Sequence, residues 1–276
     1  MRIPFTKTHG AKNDFLLTWA NEAPMERLAE AARAICDRHT GVGADGWILV
    51  RAHKDSAAEY DASIRLFNAD GSEAEISGNG TRCAAAFLRD CGLAKDPLRI
   101  LTGAGIRELH LVGSSGLSYR FRMNMGRPSW REEQLELSLE LGRGTLQATI
   151  LDVGNPQCVV FVEDFNFDWR KMGAEVESHP LFPRRTNVSF VRRLDAHTLD
   201  VRFWERGVGE TVSSGTGSTG AMAAAVLLGR AVSPVRVLTP AGPLELSWEE
   251  DIFLTGPAEI VAGGEFYFLP REVSRS

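Results

Sequence analysis

The sequence predicts an α/β fold made of two similar halves, and three observations support this prediction. Short apolar segments typical of strands alternate with two runs of small apolar residues that fit helices. Segment 64–109 matches segment 201–246 without a gap, at a constant offset of 137 residues that takes Ile64 to Val201. In each copy a turn rich in glycine and serine directly precedes the helical run. Such a match indicates an internal duplication, and two facing copies would place two helix N-termini across one cleft.

The offset also pairs the residues of the two turns. It takes Ser77 to Ser214 and Gly78 to Gly215. Backbone N–H groups at a helix start lack partners and carry the positive end of the helix dipole, so they bind anions. Glycine lets a carboxylate or phosphate approach the backbone closely. Both turns are therefore predicted to bind a negatively charged group.

The remaining elements follow in chain order. Segment 3–19 is predicted to form a strand, a polar loop and a second strand, and Pro24 to open a helix that ends at Gly41. One face of that helix is apolar through Leu28, Ala31 and Ile35. Further strands are expected at 47–50, 64–67, 99–102, 108–112, 117–124, 145–153, 158–162, 188–191, 198–204, 235–238, 244–247 and 266–269.

Composition excludes several classes of protein. Apolar residues make up 43% of the 276 residues and charged residues 24%, which is ordinary for a globular protein. A net charge of −5 argues against a nucleic-acid partner. The longest apolar run, about 221–228, is too short to span a membrane, and the first residues do not resemble a signal peptide. We therefore expect a cytoplasmic protein.

Cysteine and histidine give no sign of a metal site. Four cysteines lack any C-x-x-C spacing, and no two of the six histidines have ligand spacing. We expect reduced, buried thiols and no metal. The segment 215–220 fits G-x-G-x-x-G, but no acidic residue follows about 20 positions later, so a dinucleotide site is not favoured.

Polar residues near strand ends define the predicted ligand. Arg206, eight residues before Ser214, offers a forked donor for a carboxylate. Four asparagines lie in loops beside strand ends, namely Asn13, Asn68, Asn155 and Asn187. Amides, an arginine and two anion-binding helix starts suit a small zwitterion with more than one carboxylate.

With these motifs the chain resembles the diaminopimelate epimerase family, a cofactor-independent branch of the proline racemase-like superfamily. The matching motifs are HGAKNDF at 9–15, FNADGSE at 67–73, GNGTRC at 78–83, GNP at 154–156, Asn187, ERGVGET at 205–211 and GTG at 215–217. The resemblance implies two α/β domains, each a β-barrel-like sheet around a central helix, with the site between them. We place them at 1–116 and 117–263, with segment 264–276 returning to the first. A homodimer is also implied.

The resemblance further implies an epimerase that removes a proton from one face of the substrate α-carbon and returns one from the other. Ser77 and Ser214 stand at the two catalytic positions. The backbone at Gly78, Asn79, Gly215 and Thr216 would cradle the α-carboxylate. The distal end of the substrate would bind Asn13, Asn68, Asn155, Asn187, Glu205 and Arg206. The most similar activity interconverts LL- and meso-diaminopimelate in lysine biosynthesis.

The chain departs from the family at decisive positions. The family has cysteine where Ser77 and Ser214 stand, usually histidine at Gln157, and often glutamine at Gly46. A serine hydroxyl is a far weaker acid than a thiol and needs an adjacent base. Three explanations remain open: cysteines replaced by design, a natural branch with changed or lost chemistry, or a working epimerase that uses serine. A non-catalytic binder and a related isomerase or dehydratase are the alternative functions.

Overall fold

A computed structural model describes residues 1–53, 58–93, 95–142 and 144–269. Within these ranges the strands are β1 (Arg2–Gly10), β2 (Asn13–Trp19), β3 (Gly46–Ala52), β4 (Ala62–Asn68), β5 (Glu73–Ala74), β6 (Leu98–Thr102), β7 (Gly105–Ser115), β8 (Ser118–Gly126), β9 (Leu137–Leu141), β10 (Gly144–Asp152), β11 (Pro156–Phe161), β12 (Asn187–Arg193), β13 (Thr198–Glu205), β14 (Gly209–Thr211), β15 (Val235–Thr239), β16 (Gly242–Trp248) and β17 (Ile252–Tyr267). The α-helices are α1 (Leu28–Cys36), α2 (Gly78–Asp90), α3 (Trp169–Glu177) and α4 (Gly215–Leu227).

Two closed barrels share two strands. The first barrel runs β1-β2-β3-β4-β6-β7-β8-β17 and closes through the pairing of β17 with β1. The second runs β10-β11-β12-β13-β15-β16-β17-β8. It closes through a bridge between Ser129, just after β8, and Asp152 at the end of β10. The antiparallel pair β8–β17 is therefore the seam between the two barrels.

A helix fills the centre of each barrel. The small side chains of α2 and α4 are buried from Ala84 to Ala86 and from Ala221 to Ala225, and both sets belong to one continuous hydrophobic core. These alanines let the surrounding strands pack closely, while the larger side chains of Phe87, Leu88 and Met222 are buried in the same core. This confirms the predicted α/β fold of two duplicated halves, each a barrel-like sheet around a central helix.

The duplication extends to individual hydrogen bonds. In the turn after β6, Thr102 Oγ1 donates to the Gly105 carbonyl over 2.7 Å. In the turn after β15, Thr239 Oγ1 donates to the Gly242 carbonyl over the same 2.7 Å. The offset of 137 residues thus relates equivalent turns, and the two halves fold by the same local rules.

The structure differs from the predicted secondary structure at three elements. The helix expected from Pro24 to Gly41 spans only Leu28–Cys36. The Pro24 carbonyl instead accepts from the Arg27 N–H in a turn, and Asp37 leaves the helix with extended backbone angles. The long strand β17 was expected only at its end, from residue 266, and α3 was not expected at all.

The domain limits at residues 116 and 263 remain predictions. Residues 264–267 of β17 do pair with β1 of the first barrel, while residues 270–276 of the proposed returning segment lie outside the described residues. In the described part of the chain, no helix is both long and apolar enough to cross a membrane.

Candidate active site

The site is built on two helix starts that meet head to head. Gly78 begins α2 and Gly215 begins α4. A Cβ atom on Gly78 would lie 3.2 Å from the Cα of Gly215, and one on Gly215 would lie 3.0 Å from the Cα of Gly78. Glycine suits this approach, because these distances are tighter than most Cβ contacts and a larger residue would require the backbones to move apart by a few tenths of an ångström. The positive ends of both helix dipoles therefore point into one small volume.

Ser77 and Ser214 cap these helices in the same way. Their backbone angles are φ −130°, ψ 121° and φ −136°, ψ 123°. Ser77 Oγ accepts from the Gly80 N–H over 3.1 Å, and Ser214 Oγ accepts from the Gly217 N–H over 3.0 Å. Each hydroxyl is thereby fixed through its oxygen. Its hydrogen remains free to donate to another group.

A cavity of about 330 Å³ opens in front of the two serines. Its volume suits a small molecule. The residues predicted from sequence for catalysis and binding all line it, namely Ser77, Ser214, Asn13, Asn68, Gly78, Asn79, Asn155, Asn187, Glu205, Arg206, Gly215 and Thr216. The fold therefore brings together every predicted site residue, although the role of each remains a prediction.

The amide side chains are held by neighbours rather than left mobile. Asn13 donates to Asp45 over 2.6 Å, and Asn79 donates to the Asn13 side-chain oxygen over 3.2 Å. Asn187 accepts from the Arg206 backbone N–H over 3.0 Å. These contacts fix the direction of each amide, so the polar wall of the cavity is preorganised.

Glu205 is the titratable group closest to the proposed chemistry. It lies at the end of β13, and burial raises the pKa of its carboxyl group to about 7. The Ser214 hydroxyl partly opposes this shift, while the negative charge of Asp45 adds to it. A carboxyl group with a pKa near neutrality exchanges protons readily at physiological pH, as a general base requires.

Arg206 connects the two halves across the cavity. Its guanidinium pairs with the Glu75 carboxylate over 2.5 Å. Glu75 comes just before α2 and Arg206 just after β13, so this ion pair joins the two barrels at the cavity wall. A ligand carboxylate that binds Arg206 has to compete with Glu75.

Comparison with known proteins identifies the family. The family model described as "Diaminopimelate epimerase" matches residues 5–131 and 149–261. The diaminopimelate epimerase of Halothermothrix orenii is 38% identical over 96% of this chain and 98% of its own length. That of Moorella thermoacetica is 40% identical over 95% and 98%. The chain belongs to the diaminopimelate epimerase family.

Solved structures support the same fold. A probable proline racemase from Agrobacterium radiobacter with bound carbonate superposes with a TM-score of 0.79 at 14% identity, covering 98% of this chain and 94% of that one. A hydroxyproline epimerase from Agrobacterium vitis with bound trans-4-hydroxy-L-proline gives 0.71 at 15% identity, covering 96% and 92%. At such low identity these structures establish the fold alone.

Gln157, where the resemblance implies a histidine, is a buried amide. It donates to the Asn155 side-chain oxygen over 2.7 Å, and its own side-chain oxygen has no hydrogen-bond partner among the described residues. It packs against Gly220 of α4, where a Cβ atom would meet it at 3.0 Å. An amide cannot exchange protons at neutral pH, so this position cannot supply a base.

The four cysteines do not replace the missing thiols. Cys36, Cys83 and Cys158 are buried, and burial raises the pKa of each to about 12. Cys91 is exposed, contrary to the expectation that all four are buried. None of them lines the cavity. In the described ranges, no group of three or more His, Cys, Asp or Glu side chains is placed to hold a metal ion.

Sequence reasoning missed several residues of the cavity wall. Asp45 and Glu75 line it, and so do Arg184 and Arg185. Asp45 could have been found from its position just before Gly46, because the comparison with the family already singles out Gly46 as a position that often holds glutamine. Glu75 could have been found from its position two residues before Ser77.

Proposed function

We propose that this protein is a cofactor-independent amino-acid epimerase with two proton-transferring side chains, and that its substrate is a diaminopimelate-like amino acid. The observation that carries the proposal is the head-to-head meeting of two serine-capped helix starts at one cavity. This arrangement offers a hydroxyl from each half and a positive backbone surface between them. The proposed reaction interconverts LL- and meso-diaminopimelate, a step of lysine biosynthesis.

The substrate α-carboxylate would bind between the helix starts, at the backbone of Gly78, Asn79, Gly215 and Thr216. Removal of the α-proton places negative charge on the α-carbon and its carboxylate. The N–H groups and dipoles of both helices would stabilise this charge as it develops. The distal amino and carboxylate groups would extend towards the side chains of Asn13, Asn68, Asn155, Asn187, Glu205 and Arg206.

Proton transfer would begin at Ser214. Its hydroxyl proton passes to the Glu205 carboxylate while its oxygen takes the substrate α-proton, and the C–H electron pair stays on the α-carbon. Ser77 then donates its hydroxyl proton to the opposite face. A new C–H bond forms, the Ser77 oxygen takes a proton from water, and Glu205 returns its proton to the hydroxide ion that this leaves.

The serines should make this reaction slow. A thiol ionises near pH 8.5, and a hydroxyl that is harder to ionise by about 4 pKa units or more carries a handicap above about 5 kcal/mol. Glu205 reduces this handicap at Ser214, because a base with a pKa of about 7 is deprotonated in half of the molecules at that pH.

Incubation with LL-diaminopimelate in D₂O tests the proposal. The expected result is deuterium at the α-carbon together with meso product. Binding of the ligand without any deuterium exchange over hours would contradict the epimerase proposal and indicate a non-catalytic protein that binds the same ligand. Exchange with loss of water or a shifted double bond would assign a dehydratase or isomerase.

One observation favours a second candidate, a site that removes a proton from one face of the substrate only. In the described part of the chain, Ser77 forms no hydrogen bond to an ionisable side chain, whereas Ser214 forms one to Glu205. Without a base at Ser77, proton removal from that face lacks an acceptor. Exchange of only one stereoisomer, without inversion, would distinguish this one-sided site from a full epimerase.

A further inference from the structure

Arg82 is a fully buried cation directly behind the proposed carboxylate cradle. It lies in α2, and none of its surface is accessible to solvent. Its guanidinium donates to the Gly78 carbonyl over 3.1 Å, to the Asn79 side-chain oxygen over 2.5 Å and to the Pro257 carbonyl over 3.2 Å. All three acceptors are neutral oxygens. They satisfy hydrogen bonds of the guanidinium, but they do not neutralise its positive charge.

No carboxylate in the described part of the chain compensates this charge. Two arginines that line the cavity, Arg185 and Arg206, form ion pairs with Glu177 and Glu75. Burial lowers the pKa of Arg82 to about 10, which still leaves the guanidinium protonated at neutral pH. A buried charge without a counter-charge is costly to a folded protein.

In the second half of the molecule, a neutral side chain forms the hydrogen bond to the carbonyl at the helix start. The offset of 137 residues takes Arg82 to Thr219 and Gly78 to Gly215. Thr219 Oγ1 donates to the Gly215 carbonyl over 2.8 Å, which is the contact that Arg82 makes with Gly78. A neutral hydroxyl therefore suffices to satisfy this carbonyl, and the helix itself does not require a cation.

The contacts of Arg82 lead to the cavity. Gly78 and Asn79 are two of the residues that line it beside the serines. Arg82 donates to the Asn79 side-chain oxygen, and the Asn79 amide nitrogen therefore faces Asn13 and the Ser213 carbonyl, to which it donates. Arg82 therefore controls the orientation of a cavity side chain and places a positive charge behind it.

We propose that Arg82 is a positioning residue whose buried charge is the counter-charge for the ligand carboxylate at the two helix starts. The inference rests on the proposed function only in taking that ligand to be an amino-acid carboxylate. A ligand carboxylate at the two helix starts would place a negative charge opposite the Arg82 guanidinium. Since the charge is buried, salt should screen its effect far less than it screens a surface pair.

The test compares three variants by calorimetric titration with LL-diaminopimelate. Arg82→Met removes the charge, and Arg82→Lys keeps the charge but lacks the planar guanidinium with its several donors. Thr219→Val is the matched neutral change in α4. Arg82→Met should weaken binding by about tenfold or more, in line with a buried charge interaction. Arg82→Lys should recover part of this loss, and Thr219→Val should change affinity by less than about threefold.

The loss in Arg82→Met should persist in about 0.5 M salt, where exposed charges are screened. Unfolding profiles verify that each variant is folded, and Arg82→Gln replaces the methionine variant if that one is not. Equal losses in Arg82→Met and Thr219→Val, or unchanged affinity in the neutral variants, would overturn the inference. Binding without α-proton exchange in the unmodified protein would remove the epimerase proposal and leave this inference standing. An absence of binding to the unmodified protein would overturn both.

Discussion

The two helix starts share one backbone design but differ in the side chains around them. Ser214 is buried and lies beside a carboxyl group with a pKa of about 7. Ser77 is only half-buried, and it also lines a second cavity of about 370 Å³. Behind it stands the cation Arg82, where the other half has Thr219. The two halves thus share one backbone arrangement, while one half carries Glu205 beside its serine and the other carries Arg82 behind its helix start.

This difference implies distinct tasks for the two halves. A base beside Ser214 suits proton removal at that face. A half-buried Ser77 next to a second cavity can exchange its proton with water, which suits proton return. If both stereoisomers bind with equal affinity, this asymmetry should make α-deuterium incorporation faster into one stereoisomer than into the other.

The largest effect should come from restoring a thiol at both helix starts. In the double variant Ser77→Cys, Ser214→Cys, a thiolate replaces a hydroxyl that is harder to ionise by about 4 pKa units or more. The rate of α-deuterium incorporation should rise by about a thousandfold. The single variants serve as controls, and Ser77→Cys should give the larger single gain because Ser77 has no base of its own. An unchanged rate in the double variant would show that Gln157 or another position limits the chemistry.

The next effect should follow from removing the base. The offset takes Asn68 to Glu205, so Glu205→Gln gives both halves an amide at this position. α-Deuterium incorporation should fall by about a hundredfold, which is typical for a lost general base. Glu210→Gln is the matched control, since Glu210 is exposed and pairs with Arg170. A similar decrease in both variants would contradict the role of Glu205.

Sequence reasoning reached the backbone design but not the asymmetry. The glycine- and serine-rich turns are local features, and together with the repeat they predicted both helix starts. The roles of the candidate cavity residues came with the motifs of the diaminopimelate epimerase family, which did not include Asp45 and Glu75. The pairing of Arg206 with Glu75 joins residues 131 positions apart, and no local pattern indicates it. The burial of Arg82 likewise depends on Pro257, 175 positions away.

The missed strand has a local cause. β17 contains Gly256, Pro257, Gly263 and Gly264, which are typical of turns and rare in strand interiors. Its barrel position overrides these preferences, because it pairs with β1, β8 and β16 at once. Gly256 is required there, since a Cβ atom would lie 2.9 Å from the Arg82 guanidinium carbon.

A smaller effect should follow from crowding the contact between the halves. Gly215→Ala places a methyl group 3.0 Å from the Gly78 backbone, so the helix starts must separate. We expect a loss of about 3 kcal/mol in the free energy of unfolding, as for other overpacked sites. Gly113→Ala is the control, because a Cβ atom there meets nothing within 4 Å. Equal stability of both variants in denaturant titrations would argue against the close helix contact.

The smallest effect is the dependence of stability on pH through Glu205. The folded protein holds the Glu205 proton up to about pH 7, whereas the ordinary value is 4.5. Protonation therefore favours the folded state, so this contribution is complete below pH 4.5 and is lost as the pH rises through about 7.

Because Glu205 is partly accessible from the cavity, we expect about 2 kcal/mol rather than the full value of the shift. The measurement compares free energies of unfolding of the unmodified protein and Glu205→Gln at about pH 5 and about pH 8. The difference between the two proteins should change by this amount between the two pH values, with the unmodified protein losing more stability. An unchanged difference, or a change of the opposite sign, would mean that the pKa of Glu205 is not raised in the folded protein. Glu205 would then be a weaker base towards Ser214 than a group with a pKa near 7, and the functional difference between the two helix starts would have to come from Arg82 alone.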